Sequence, residues 1–189
     1  MAEQLLPGYS IRRGSTLDRA LLVKFMQRTY QDIFPNQQDF SHLERTVRQY
    51  FSGDTPLWWV TEEEGEKGER GSDAEKEKEG NKNLRVTPTL PLSHSSTSPI
   101  ACLWVGNAID QVQGNRHAHI FILYVVPEHR RRGIGTALMR YVENWATQRG
   151  DRQIGLQVFE SNKPALNLYN QLGYQTQSLW MVKFLSAEI

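Results

Sequence analysis

Three arginines and two glycines stand together in Arg130-Arg131-Arg132-Gly133-Ile134-Gly135. Glycine lets a bulky anion come close to the main chain. The first-turn N–H groups of a helix, with the helix dipole behind them, favour phosphate. Ile134, Ala137, Leu138, Tyr141, Val142, Trp145 and Ala146 then recur at helical spacing, so the glycines sit at a helix entrance. Ahead of them, Ile120 to Val126 are apolar, β-branched and aromatic, which suits a strand buried on both faces. Strand, basic glycine turn and helix together predict a pyrophosphate site, with the arginines adding positive charge beside it.

Other phosphate loops do not fit. A Walker loop needs Lys-Ser or Lys-Thr after its glycines, and none follows here. A dinucleotide fingerprint needs a third glycine three residues after Gly135, where Leu138 stands. What remains, Arg130-x-x-Gly133-x-Gly135 followed by Leu138, resembles the acyl-CoA-binding motif of the GNAT superfamily of N-acetyltransferases. A second stretch strengthens the resemblance. The family's Asn-x-x-Ala-x-x-Leu-Tyr-x-x-x-Gly-Phe/Tyr is matched by Asn162, Ala165, Leu168, Tyr169, Gly173 and Tyr174, one strand and one helix after Gly135.

The resemblance implies roles by position. Main-chain groups of Leu123, Tyr124 and Val125 would pair with the pantetheine arm and meet the thioester carbonyl. Arg130, Arg131, Arg132, Gly133, Ile134, Gly135 and Thr136 would form the pyrophosphate loop. Asn162 would hydrogen-bond the CoA arm, or cap its helix, or both. Tyr169 would protonate the departing thiolate, or pack as a core tyrosine. Acetyl-CoA is then a cosubstrate, no metal is needed, and the acceptor is a primary amine: a small molecule, a lysine or a protein N-terminus. Direct transfer needs no covalent enzyme intermediate, so the lack of a Ser-His-Asp pattern is no obstacle. The alternative is a non-catalytic acyl-CoA sensor of the same fold.

The proton acceptor departs from better-known relatives. Ribosomal-protein acetyltransferases of the family carry a glutamate where this chain has Gln157, which cannot act as a base. Histone-type members carry one where this chain has His119. An imidazole with an ordinary pKa of about 6.5 accepts a proton at neutral pH, so His119 is the candidate base, with Glu160 and a water relay as alternatives. Tyr30, Phe34, Trp58, Trp59 and Trp104 are candidates for the acceptor walls or for core packing.

Elements must position these groups. Tyr9–Arg13 alternates as a first strand, and Ser15 or Thr16 caps a helix through Tyr30 that Pro35 breaks. A second helix runs from Phe40 to Phe51, and strands cover 56–61 and 100–105. After the long helix come a strand over 153–159, a helix from Asn162 to Leu172, and a closing hairpin of 174–177 with 179–184. The fold class is α/β, a GNAT-like, mixed and mostly antiparallel central sheet with helices on both faces. One acetyltransferase domain spans 1–189, interrupted by an insertion over 62–98. Its first part is charged and its second rich in Ser, Thr and Pro; neither buries enough apolar area to offset ordering, which predicts disorder.

Composition narrows the class. The 189 residues carry net charge +1, which makes no case for nucleic acid as a partner. Nine acidic and five basic residues fall between Glu62 and Lys82, so the remainder is mildly basic, as suits an anionic cosubstrate. No apolar run is long enough to span a membrane, and the first residues lack a signal-peptide pattern. The one cysteine, Cys102, sits in an apolar strand, so no intrachain disulfide can form. A cytoplasmic protein is expected, as a monomer or homodimer.

Overall fold

The computed structural model describes residues 2–63 and 98–185, so most of the predicted 62–98 insertion lies outside the described residues. Six strands form one sheet in sequence order: β1 (Ala2–Leu6), β2 (Tyr9–Arg13), β3 (Leu57–Glu62), β4 (Ala101–Ile109), β5 (Arg116–Val125) and β6 (Ile154–Leu156). The helices are α1 (Arg19–Ile33), α2 (Ser41–Tyr50), α3 (Ile134–Gln148) and α4 (Lys163–Gln171). The first five strands pair antiparallel, and β6 joins β5 in parallel through the α3 crossover. The expected mixed α/β class is observed.

Alternation sorts the strand residues onto two cores. Trp58, Val60, Ala101, Leu103 and Ile120 pack with Leu138, Met139 and Val142 of α3. Leu57, Trp59, Cys102, Trp104 and Tyr124 pack with Leu22 and Phe25 of α1 and Leu43 and Val47 of α2. The three tryptophans considered as acceptor walls are thus core residues, each at most 2% exposed. Cys102 is buried too, and burial pushes its thiol pKa up, as suits an inert core residue.

Two features of β5 shape the site. Opposite it, the register slips between Trp104, which faces Ile122, and Val105, which faces Ile120. Phe121 is the extra residue of this bulge, and its ring lies over Gly106. A Cβ on Gly106 would fall 2.2 Å from Phe121 Cε2. Gly106→Ala is therefore expected to cost about 1–3 kcal/mol by overpacking. Thermal unfolding should show a drop of several degrees, and an unchanged melting temperature would contradict the packing. Second, β6 pairs with β5 only from Ala118 to Ile120. The rest of β5, Phe121–Val125, extends beyond that short ladder and borders a cleft.

The structure corrects the sequence reading in four places. The strand expected over 153–159 is only Ile154–Leu156. A strand, β1, precedes the one expected first. Ser15 caps a short 3-10 turn, Thr16–Asp18, through a capping box with Asp18, and α1 starts only after it. The expected closing hairpin is absent: residues 174–185 are neither strand nor helix. Leu179, Trp180, Met181, Val182, Phe184 and Leu185 are between 69% and 91% exposed. Their composition suits a strand, but a strand forms only against a partner edge, and composition does not supply one. Without that cover, β6 is half-buried and α4 has no fully buried residue.

Candidate active site

The loop between β5 and α3 starts with a 3-10 turn, Pro127–His129. Arg130 is then extended, Arg131 has φ 64°, and Gly133, the cap of α3, has φ 82°. Left-handed backbone is open to glycine and costs an arginine roughly 1–2 kcal/mol. Turns of this kind aim successive N–H groups into one concavity, which is how main chain holds anions. Gly135 serves packing: a Cβ there would meet Leu168 Cδ2 of α4 at 3.3 Å. Its absence lets α3 and α4 close on each other at the glycine turn.

Side chains tie the loop down at two points. Arg130 Nε donates to Val125 O at 2.8 Å, its guanidinium lies 5.4 Å from the centre of the Tyr124 ring, and its Nη2 pairs with Asp32 of α1. Arg132 Nη1 donates to the Tyr9 hydroxyl at 2.9 Å, and that hydroxyl lies 3.2 Å from His129 Nδ1. Glu62 at the end of β3 stands 3.7 Å from Arg132 and 3.9 Å from His129. Two of the three arginines thus brace the loop against β2, β3 and α1. Nothing in the sequence pattern marked Asp32 or Tyr9 as their partners, because both are remote in sequence.

Two adjoining cavities lie along β5, and the larger reaches this loop. The larger, about 610 Å³, is lined by the end of β5, the basic loop, the start of α3 and one face of α4. Of the residues expected to hold the cosubstrate, Leu123, Tyr124, Val125, Arg130, Arg131, Gly133, Ile134, Gly135, Thr136, Asn162 and Tyr169 line it. Arg132 does not, because it turns toward Tyr9 and Glu62. Val126 N–H donates to Ile100 O at 2.9 Å on the β4 side. By strand alternation the N–H of Val125 turns the other way, toward the cleft.

The smaller cavity, about 80 Å³, lies between α1, β5 and the residues after β6. Thr29, Ile33, Leu123, Asn162 and Tyr169 line both cavities, so Tyr169 stands where they join. Burial pushes its phenol up to about 12, so it holds its proton across the neutral range. Asn162 caps α4, its Oδ1 accepting from Ala165 N–H at 3.3 Å, and also faces both cavities. The two roles open in the sequence are compatible.

The base candidates are distributed differently. Gln157 lines the smaller cavity; Glu160 is exposed and lines neither. His119 lines neither cavity either. Its ring packs on Phe121, which does line the smaller one, with centroids 5.5 Å apart. Burial, and then the neighbouring His117, lowers the His119 pKa and keeps the ring neutral. Phe121 and Phe159 are wall residues that the sequence did not single out; Phe121 sits within β5 and Phe159 three residues past β6, positions no local pattern marks. Tyr30 lines the smaller cavity, and Phe34 packs edge-on against Phe159 at 4.9 Å. No group of three metal-binding side chains occurs among the described residues. No described helix is long and apolar enough to cross a membrane.

Comparison with known proteins points to acetyltransferases. The family described as Acetyltransferase (GNAT) family matches residues 94–174. An uncharacterized N-acetyltransferase of Methanocaldococcus jannaschii is 35% identical over 78 residues, 41% of this chain and 33% of that protein. Thialysine N-epsilon-acetyltransferase of Mus musculus is 40% identical over 60 residues, 32% of this chain and 35% of that one. The matched stretch thus spans about a third of each relative's length. A predicted acetyltransferase from Clostridium acetobutylicum, solved with acetyl-CoA, superposes with TM-score 0.62. That match covers 93% of this chain and 96% of the other at 18% identity, a likeness of fold.

Proposed function

From a chain that carries a GNAT-superfamily acetyltransferase domain, we propose an acetyl-CoA-dependent N-acetyltransferase that moves the acetyl group directly to a primary amine. The observation that carries this reading is the position of Tyr169 at the junction of two cavities, the larger bordered by the basic glycine loop. Acetyl-CoA lies in the larger cavity, with its pyrophosphate on the first-turn N–H groups of α3. The fit rests on the left-handed backbone at Arg131 and Gly133 and on the packing of α3 against α4 that Gly135 permits. The acceptor amine enters through the smaller cavity.

The chemistry then follows from the groups in place. The amine lone pair attacks the thioester carbon, and the Val125 N–H donates to the carbonyl oxygen as charge develops. The C–S bond breaks, and the Tyr169 hydroxyl gives its proton to the departing sulfur. The amine's surplus proton leaves through water, with His119 as the relay's proton acceptor. Holding both substrates at one junction supplies much of the acceleration.

Calorimetry with acetyl-CoA and a thiol-release assay over an amine panel test this reading. Binding and acetyl-CoA-dependent thiol release are expected. His119→Ala should keep acetyl-CoA binding and remove the acid limb of the rate profile, which lies below the ordinary imidazole value because that ring resists protonation. Failure to bind acetyl-CoA overturns the assignment. Binding without release to any amine favours the acyl-CoA sensor, a reading to which Gln157 in place of a carboxylate lends support. An unchanged pH profile in His119→Ala removes the relay role.

A further inference from the structure

We infer that the acceptor is a weakly basic primary amine carried on an aromatic or bulky apolar group, such as the α-amine of an aromatic residue, and that polycationic amines are poor substrates. The inference rests on the acetyl-transfer reading above and names its substrate class.

The smaller cavity is the first support. Among the described residues, none that lines it carries a charge; its walls include Tyr30, Ile33, Phe121, Val158 and Phe159. Its polar groups are hydroxyls and amides. Burial raises the Tyr30 phenol pKa, so this hydroxyl stays neutral. The Thr29 hydroxyl donates to Phe25 O at 2.8 Å. The volume of about 80 Å³ equals roughly two or three waters at about 30 Å³ each, room for a compact apolar group and not for an extended polyamine. An ammonium group entering such a space loses hydration without a counter-charge.

The second support is the state of the nearest carboxylate. Asp32 is the one carboxylate lining the larger cavity among the described residues, and Arg130 already occupies it. Among the described residues, an acceptor with several ammonium groups finds no unpaired carboxylate lining either cavity to replace its water. An aromatic body does find partners. Phe159 is 45% exposed, with its ring edge-on to Phe34 at 4.9 Å and to Tyr30 at 6.3 Å. A ring laid against this group gains both apolar burial and edge-to-face contact.

The third support is the proton. With no described carboxylate or imidazole lining the acceptor cavity, a base reached only through water favours an amine that is already partly neutral. An α-amine, with pKa about 7.7–8.0, is roughly a quarter free base at pH 7.5; a lysine side chain, near 10.4, is about one part in 800. The apolar walls shift either amine further toward the neutral form. The difference of about 200-fold in available nucleophile favours the α-amine before any contact is made.

The test uses the full chain with saturating acetyl-CoA at pH 7.5 and thiol release as readout. The acceptors are phenylalaninamide, a short peptide with N-terminal phenylalanine, glycinamide, Nα-acetyl-lysinamide and spermidine. Phenylalaninamide or the peptide is expected to exceed spermidine and the lysine derivative in kcat/KM by roughly 100-fold. The ratio between amide and peptide distinguishes a free amino-acid derivative from a chain terminus, and preference for either supports the class. Phe159→Asp should raise KM for phenylalaninamide about tenfold while KM for acetyl-CoA stays put, and Phe159→Tyr should restore it. Phe159 is partly exposed, so both variants should fold; Phe159→Ala gives the same reading without a charge. Spermidine or the lysine derivative turning over as well as phenylalaninamide overturns the inference and leaves acetyl transfer standing. Acetyl-CoA binding with no thiol release from any amine overturns the transfer reading itself, and this inference with it.

Discussion

Tyr169→Phe is expected to lower turnover by about 10²–10⁴-fold, the usual contribution of a positioned proton donor, with acetyl-CoA affinity unchanged. The substitution removes one oxygen and keeps the ring, so its packing beside Tyr174, with centroids 5.8 Å apart, is preserved. Single-turnover rates and calorimetry on the same preparation separate the two effects. A turnover within about threefold of the parent would show that the thiolate leaves without this donor. The pH dependence gives an independent check. The phenol is held up to about 12 by burial, so the parent should show no alkaline limb from Tyr169 until the pH nears that value.

The same shift has a consequence for stability, with a definite sign. The folded pKa lies above the unfolded value of about 10. The stabilisation is therefore fully present below pH 10 and is lost as pH rises toward about 12. Tyr141, also raised to about 12, by burial and then by its bond to Glu3, acts in the same direction. Tyr169→Phe removes its share, so the variant should lose less stability between pH 10 and 12 than the parent does.

Gly135→Val is expected to weaken acetyl-CoA binding by about 100-fold or more, the equivalent of one or two charge-assisted hydrogen bonds. The Cβ alone would sit 3.3 Å from Leu168 Cδ2 and 4.0 Å from Leu123 Cδ2. Valine's two methyls extend past that point, so α3 must move away from α4 or from β5. Both neighbours line the larger cavity, and the displaced turn is the one proposed to present N–H groups to the pyrophosphate. Gly135→Ala places only the Cβ, at a distance the leucine end can yield to, and should weaken binding a few-fold. Circular dichroism and melting curves confirm that each variant folds. Normal acetyl-CoA affinity in folded Gly135→Val would show that the loop is not the phosphate site.

Much of the fold was legible because helical spacing is a local property. The apolar stripe from Ile134 to Ala146 marks α3, and Asn162 before Pro164 marks the start of α4. The buried run from Ile120 to Val125 lies within β5. Where local signals misled, the deciding interaction was distant. The apolar residues from Leu179 to Phe184 resemble a strand but meet no partner edge. The strand expected over 153–159 shrinks to Ile154–Leu156, and its released end brings Phe159 to the cavity mouth.

The site divides along the same line. Anion binding by a glycine turn depends on backbone conformation and first-turn N–H groups, both set within a few residues. The sequence alone therefore determined the loop, the helix it opens and the Asn162–Tyr169 segment that faces it. It could not assign the arginines, because a guanidinium chooses among charges brought near by the fold. Arg130 went to Asp32 and Arg132 to Tyr9 and Glu62, partners roughly 70 to 120 residues away. Nor could it rank the aromatics. Sheet register sent Trp58, Trp59 and Trp104 into the two cores, the bulge set Phe121 apart on β5, and Tyr30, Phe121 and Phe159 were left at the smaller cavity. Only the tertiary structure set Tyr169 between two cavities and left the smaller one without a described charge, since a cavity's shape and polarity arise where α1, β5, β6 and α4 meet.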